Sequence, residues 1–171
     1  MKRIIPLFLS VVLLFIMLGC QNESKSKVKS FYYPRTDLGY HALEDKFASS
    51  AIQAELRNDI PYQSGAQILA EYFKGPLTPS LSNPFPTGLT LTDINIQGAV
   101  LYLTVSDHLA SLQDIPLVIA CACLSQTAMS VTGTSTVCIN CESSLLNGEK
   151  FVIMNADSLI LDDPILTEPN E

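Results

Sequence analysis

The spacing of hydrophobic and polar residues changes along the chain in a way that predicts both helices and strands. Over Pro61–Lys74, apolar residues recur every three or four positions, which is the spacing of one helix face. Over Val100–Val105, alternate residues are apolar, which is the spacing of a strand with one buried side. Ser64 can cap the start of the helix, and Gly75-Pro76 ends it.

Several shorter segments have strand character because β-branched and aromatic residues lie between turn residues. These segments are Val28–Tyr33, Ser50–Leu56, Leu89–Ile96, Thr136–Asn140 and an edge strand over Glu149–Met154. Ala42–Phe47 has the composition of a short helical turn. The predicted fold class is therefore α/β (α+β), with a small mixed β-sheet of four to six strands and two helices packed on one face.

The second predicted helix, Ile115–Met129, is apolar nearly all round. A helix of this kind is usually buried on more than one side. The alternative is a membrane span, but polar residues from Ser125 to Ser130 follow the apolar stretch too early for a span of about 20 residues. We therefore expect a core helix.

The N-terminus has the layout of a secretory signal, with Lys2 and Arg3 before the apolar run Ile4–Leu18. Gly19-Cys20 at its end resembles a bacterial lipobox, in which the cysteine is lipid-modified. We expect residues 1–19 to be a signal peptide and residues 20–30 a lipid-anchored Cys20 with a flexible tether. The alternatives are a plain signal peptide and an uncleaved anchor. Diacylation would hold the protein on the extracytoplasmic face of the bacterial cell membrane.

Composition excludes one class of partner. The 171-residue chain carries a net charge of −7, and no Lys or Arg lies between Lys74 and Lys150. Nucleic-acid binding depends on a cationic surface that displaces counterions. We therefore expect no nucleic-acid partner.

Four cysteines follow Cys20, in a spacing that superficially resembles a zinc site: Cys121, Cys123, Cys138 and Cys141. Helix residues two apart point in nearly opposite directions, and strand residues three apart face opposite sides of a sheet. Such thiols do not converge on one metal ion, so we expect no metal. Disulfides and buried free thiols both stay open.

Catalytic signals are weak. The two histidines are His41 and His108, and the dipeptide Asp107-His108 is one that exposed turns often contain. Neither a nucleophile elbow nor a phosphate-binding glycine loop is present. We therefore predict no catalytic residues, no cofactor and no enzymatic activity. A ligand-binding lipoprotein of the cell wall is the alternative, with a pocket lined by aromatic residues drawn from Tyr32, Tyr33, Tyr40 and Tyr102.

The region from about Ile68 to Ile139 resembles a GerMN domain, which occurs in bacterial sporulation and spore-germination lipoproteins. The order of four short motifs carries this resemblance. They are Leu69, Phe73, Gly75 and Pro76 at the helix end; Pro86, Gly88, Leu89 and Leu91 after the loop; Ile94, Ile96, Gly98 and Val100–Ser106 in a hairpin; and Val137 and Ile139 after the apolar helix.

The resemblance implies a single GerMN-like domain over residues 31–155, followed by an acidic tail over residues 156–171. It also implies a non-enzymatic assembly role, through self-association or contact with a protein of a sporulation membrane complex. The expected contact surface is a sheet edge or the helix face that contains Leu69, Tyr72, Phe73, Gly75 and Pro76.

Overall fold

The computed structural model describes residues 28–36, 51–58, 64–145 and 147–158. The predicted signal peptide, Cys20 and the helical turn at 42–47 lie outside these residues. So do His41, Tyr40 and most of the predicted acidic tail. The predictions for those positions stay predictions.

Six strands and two α-helices occur in the described ranges. In chain order they are β1 (Lys29–Pro34), β2 (Ile52–Arg57), α1 (Gly65–Tyr72), β3 (Leu91–Gln97), β4 (Val100–Val105), α2 (Asp114–Thr132), β5 (Thr136–Asn140) and β6 (Phe151–Asn155). Short 3₁₀ turns follow β4 at Asp107–Ser111 and β6 at Ala156–Ser158. The predicted α/β class is confirmed.

The strands divide between two sheets, whereas a single sheet was expected. β3, β4, β5 and β6 form a mixed sheet in that order, with a parallel β4–β5 pair whose connection contains α2. β1 and β2 form a separate antiparallel ribbon. The ribbon stays apart because β1 packs along α2. The backbone N–H of Tyr32 donates to Thr127 Oγ1 at 2.9 Å, so part of the edge of β1 bonds to the helix.

The core lies between the four-stranded sheet and the two helices. On β4, Leu101, Leu103 and Val105 are buried, whereas Tyr102 and Thr104 lie on the opposite side and are half-buried. The predicted alternation of this strand is confirmed. Both helices contact this inner face, α1 at β3 and α2 at β5 and β6.

Helix α2 is long and apolar enough to cross a membrane, but its environment is that of a core helix. It contacts β1 of the ribbon as well as β5 and β6 of the sheet. Leu117, Cys121 and Leu124 are each at most 1% exposed. The expectation that an all-round apolar helix is buried on more than one side is met.

Helix α1 begins at Gly65, directly after the predicted cap. Ser64 is its N-cap, and Ser64 and Gln67 form a reciprocal capping box. The helix ends at Tyr72, and Gly75 follows with a φ of +100°. This left-handed backbone redirects the chain into a proline-rich loop, which reaches β3 at Leu91.

Candidate functional site

The helix-end motif, one of the two expected contact surfaces, lies largely in the interior. Leu69 and Tyr72 are fully buried, and Gly75 is also buried. Phe73 is partly buried against the core. Leu69, Tyr72 and Gly75 therefore pack inside the domain, whereas Phe73 and Pro76 stay partly exposed.

Tyr72 lies at the centre of an aromatic cluster that joins α1 to the ribbon and to the proline-rich loop. Its ring centroid is 4.8 Å from that of Tyr33 and 5.6 Å from that of Phe31, both on β1. Phe85 in the loop meets Tyr72 edge-on at 5.1 Å. The Tyr33 hydroxyl donates to Tyr72 O at 3.0 Å, so the cluster is also joined by a hydrogen bond.

A buried ion pair on β2 lies beside these rings. Arg57 Nε is 2.6 Å from Glu55 Oε1, and the two side chains are only 14% and 7% exposed. Glu55 Oε2 accepts hydrogen bonds from the backbone N–H groups of Leu77 and Thr78, at 2.9 and 2.8 Å. The carboxylate thus binds the backbone just after Pro76.

Arg57 holds the same turn from its other side. Its Nη2 group donates to Gly75 O at 2.9 Å and to the Tyr33 hydroxyl at 3.1 Å. The guanidinium also lies 4.5 Å from the ring centroid of Phe31, a cation–π distance. Together, Arg57 and Glu55 bind the turn at the Gly75 carbonyl and at the two N–H groups that follow Pro76.

We call Glu55, Arg57, Tyr33 and the backbone of 75–78 the turn clamp. Burial alone would raise the pKa of Glu55, but hydrogen bonds from Arg57 and Thr78 lower it below its ordinary value. Glu55 is therefore ionised at neutral pH. Burial raises the pKa of Tyr33, so its hydroxyl keeps its proton and can donate it.

Sequence reasoning missed Glu55 and Arg57, although a signal was present. Two opposite charges stand two residues apart in a weakly alternating strand, so they share a face with each other. Charges on the inward face of a strand need partners. The identity of the partner, a turn about 20 residues later, could not be read from the local pattern.

The cluster around His108 contains residue types used in catalysis but lacks a catalytic arrangement. His108 Nδ1 lies 3.2 Å from Ser106 Oγ. Asp107 Oδ1 instead accepts from Cys141 Sγ at 3.1 Å and from Ser143 N at 2.9 Å. Within the described ranges, no ion pair joins Asp107 to His108. The carboxylate thus serves the loop after β5 and does not orient the imidazole.

All four described cysteines are buried free thiols. Burial raises the pKa of Cys121 to about 12 and raises those of Cys123, Cys138 and Cys141. A nucleophilic cysteine needs a lowered pKa, so none of these thiols is activated. Among the described residues, no group of three or more His, Cys, Asp or Glu side chains could hold a metal ion.

The tyrosines of the alternative ligand-binding hypothesis do not line a common pocket. Tyr33 is fully buried in the aromatic cluster, whereas Tyr102 lies on the outer face of the four-stranded sheet. Tyr32 belongs to β1 and bonds to α2 through its backbone. Tyr40 lies outside the described residues.

In its arrangement of strands and helices, the protein is similar to the first GerMN domain of the sporulation protein GerM from Bacillus subtilis. The TM-score is 0.54 at 11% sequence identity, and the match covers 74% of this chain and 93% of that domain. The fold is GerMN-like. A protein described as a lipoprotein from Clostridium perfringens is also similar, at 12% identity, covering 77% of this chain and 88% of that one. Its TM-score of 0.44 is too low for a detailed comparison of folds. No protein-family model and no curated protein matches the sequence.

In this GerMN-like fold, Gly75-Pro76 of the helix-end motif is the turn that Glu55 and Arg57 bind. The buried motif residues Leu69 and Tyr72 stabilise the domain by packing in its core. The residues that follow them, Leu77 to Ser80, are exposed, and Leu77 is 78% exposed. The clamp therefore fixes the backbone of a turn whose side chains face solvent.

Proposed function

We propose that the protein is a membrane-anchored, extracytoplasmic GerMN-like lipoprotein that acts as a non-enzymatic assembly factor in sporulation or spore germination. The similarity in fold to a GerMN domain of a sporulation protein carries this proposal. The lipobox-like Gly19-Cys20 supports the anchor. The buried thiols, and the bonding of the Asp107 carboxylate to Cys141 and Ser143, favour a binding role over catalysis.

The contact surface in this proposal is the exposed turn that the clamp holds. Leu77 is largely exposed while its backbone N–H is bound by Glu55. A side chain on a fixed backbone loses less conformational entropy on binding than one on a mobile loop. An apolar side chain presented in this way is suited to a protein partner in an extracytoplasmic complex.

A deletion strain tests the proposed role. We expect the yield of heat-resistant spores or their germination to fall, and wild-type protein to restore it. A Cys20→Ala variant should fail to restore it because the protein would lose its lipid anchor. Normal spores and normal germination in the deletion strain would contradict the proposal.

A second pair of variants tests the contact surface. Leu77→Asp should leave the domain folded and abolish complementation because it places a charge at the proposed contact. Ile96→Asp is the matched control, since Ile96 on β3 is also exposed, at 52%. Equal complementation by both variants would show that the turn is not the contact.

A further inference from the structure

The ribbon formed by β1 and β2 has one face in the core and one face outside it. Phe31 and Tyr33 on β1 are fully buried, and their rings pack against Tyr72 of α1. Side chains alternate between the two faces along a strand, and residues paired across a ribbon share a face. The outer face therefore contains the intervening residues of β1 and their partners on β2: Ser30, Tyr32, Pro34, Ile52, Ala54 and Leu56.

The outer face is apolar and partly open to solvent. Of its six strand residues, only Ser30 lacks an apolar or aromatic side chain, and none is charged. Leu56 is 65% exposed. Val28, which precedes β1 and continues its alternation diagonally across from Leu56, is 53% exposed. Exposed apolar side chains that cluster in this way mark a contact with a protein or a membrane. We call this surface the ribbon face, which consists of Val28, Tyr32, Ile52, Ala54 and Leu56.

The chain enters the ribbon face a short distance after the predicted lipid anchor. Val28 is the eighth residue after Cys20. A segment of this length spans at most about 28 Å when it is fully extended. As a flexible chain, it has a root-mean-square length of about 16 Å. Both lengths are below ~30 Å, the diameter of a small domain. An anchor at Cys20 therefore keeps the start of β1, and the ribbon face with it, close to the bilayer.

We propose that the ribbon face docks on the lipid bilayer, with Leu56 and Val28 in the interface between the headgroups and the acyl chains. Apolar side chains of peripheral elements reach about 5–10 Å into this boundary. The ribbon face is small, but the tether holds it at a high effective concentration next to the lipid, so weak contacts suffice. This inference rests on the membrane anchor of the proposed function and not on the role in sporulation.

The distribution of charge along the chain favours this face over the rest of the domain. The tether contains Lys25 and Lys27, and cations close to a membrane are attracted to anionic lipids. From residue 75 to residue 149 there are acidic residues but no Lys or Arg. An anionic bilayer repels that part of the chain and attracts the end that contains the tether. The same lysines disfavour a second copy as the occupant, because two such ends would repel each other.

Docking of the ribbon face would fix which surfaces of the domain contact lipid. Ile153 on β6 pairs with Cys138, which pairs with Tyr102, so all three lie on the outer face of the four-stranded sheet. The two helices contact the inner face of that sheet, and they also contact the ribbon. With the ribbon face docked, Ile153 stays in water, although it is apolar and 59% exposed. The proposal therefore predicts different lipid contact at two sites of similar exposure.

Quenching of Trp fluorescence tests the proposal, because the sequence contains no Trp and an introduced Trp reports on one position. The full chain is reconstituted in vesicles of phosphatidylethanolamine and phosphatidylglycerol with brominated acyl chains, which quench a Trp that reaches them. We expect at least about twofold quenching of Leu56→Trp, because the side chain enters the boundary with the acyl chains. Ile153→Trp is the matched control and should remain unquenched. Val28→Trp is a second position on the ribbon face if circular dichroism shows that Leu56→Trp does not fold.

Flotation with the vesicles separates a failure of this inference from a failure of the anchor. A chain that floats while Leu56→Trp is unquenched overturns the inference alone, whereas a chain that does not float contradicts the anchor and the inference with it. Equal quenching of Leu56→Trp and Ile153→Trp would overturn the inference, because the domain would have no preferred face. A blue shift of Leu56→Trp that grows with protein density, without quenching, would show that a second copy covers the ribbon face instead.

Discussion

Two polar clusters in this molecule differ in what their residue types indicate and in what their geometry achieves. The cluster around His108 contains a serine, an aspartate and a cysteine, yet its aspartate bonds away from the imidazole. The turn clamp contains an ordinary Glu-Arg pair on a strand. Its side chains are nonetheless almost fully buried, and both carboxylate oxygens accept hydrogen bonds.

Comparing the two clusters shows that burial and hydrogen-bond geometry indicate a structurally required polar site better than residue type does. An exposed polar residue can lose its hydrogen bonds at little cost in stability, because water takes the place of the lost partner. A buried charge must be paired, so the partners of Glu55 and Arg57 are required by the fold. The following predictions test this contrast, from the largest expected effect to the smallest.

Arg57→Ala should have the largest effect because it leaves the Glu55 carboxylate buried without its cation. Breaking a buried pair in this way costs about 3–5 kcal/mol of unfolding free energy. Urea denaturation measures it. The matched control is Lys74→Ala, since the Lys74–Glu71 pair is 70% and 49% exposed and should contribute under about 1 kcal/mol. Equal losses of unfolding free energy in Arg57→Ala and Lys74→Ala would mean that the buried pair contributes no more than the exposed one.

Glu55→Gln should cost about 2–3 kcal/mol because the amide cannot satisfy all three donors and leaves Arg57 without an anion. The pKa of Glu55 is lowered in the folded protein, so its stabilising effect is complete above the unfolded value near 4.5. That effect is lost as the pH falls below this value. The difference in unfolding free energy between wild type and Glu55→Gln should therefore be constant from about pH 6 to 8 and shrink below about pH 4.5. A difference that grows on acidification would contradict the assignment.

Gly75→Ala tests the turn itself. The φ of +100° disfavours any side chain, and a Cβ would lie 3.2 Å from Asn83 Nδ2, which donates to Phe73 O. We expect a loss of about 2–3 kcal/mol in thermal or urea unfolding. Gly133→Ala is the control, because its φ is +77° but nothing lies within 4 Å. It should lose only about 1 kcal/mol.

His108→Ala should have the smallest effect. The imidazole is exposed and bonds to Ser106 Oγ, which water can replace. The expected change in unfolding free energy is under about 0.5 kcal/mol, and spore formation should be unchanged. A complete loss of biological activity with normal stability would restore a catalytic or binding role to this cluster.

Individual helices and strands could be predicted because interactions between residues close in sequence determine them. The alternation of Val100–Val105 and the cap at Ser64 depend only on neighbouring residues, and both are confirmed. The separate ribbon could not be predicted, because it depends on β1 packing along α2 about 95 residues away. The buried position of Tyr72 was missed for the same reason. Its aromatic partners come from β1 and from the loop at Phe85.

The central claim is that Glu55 and Arg57 act as one unit that holds the Gly75-Pro76 turn. A double-mutant cycle with Glu55→Gln, Arg57→Ala and the combined variant measures their coupling in urea denaturation. We predict that the combined variant loses less stability than the sum of the single losses, with a coupling of about 1.5–3 kcal/mol. Additive losses, within about 0.5 kcal/mol, would contradict the claim and would mean that each residue acts alone.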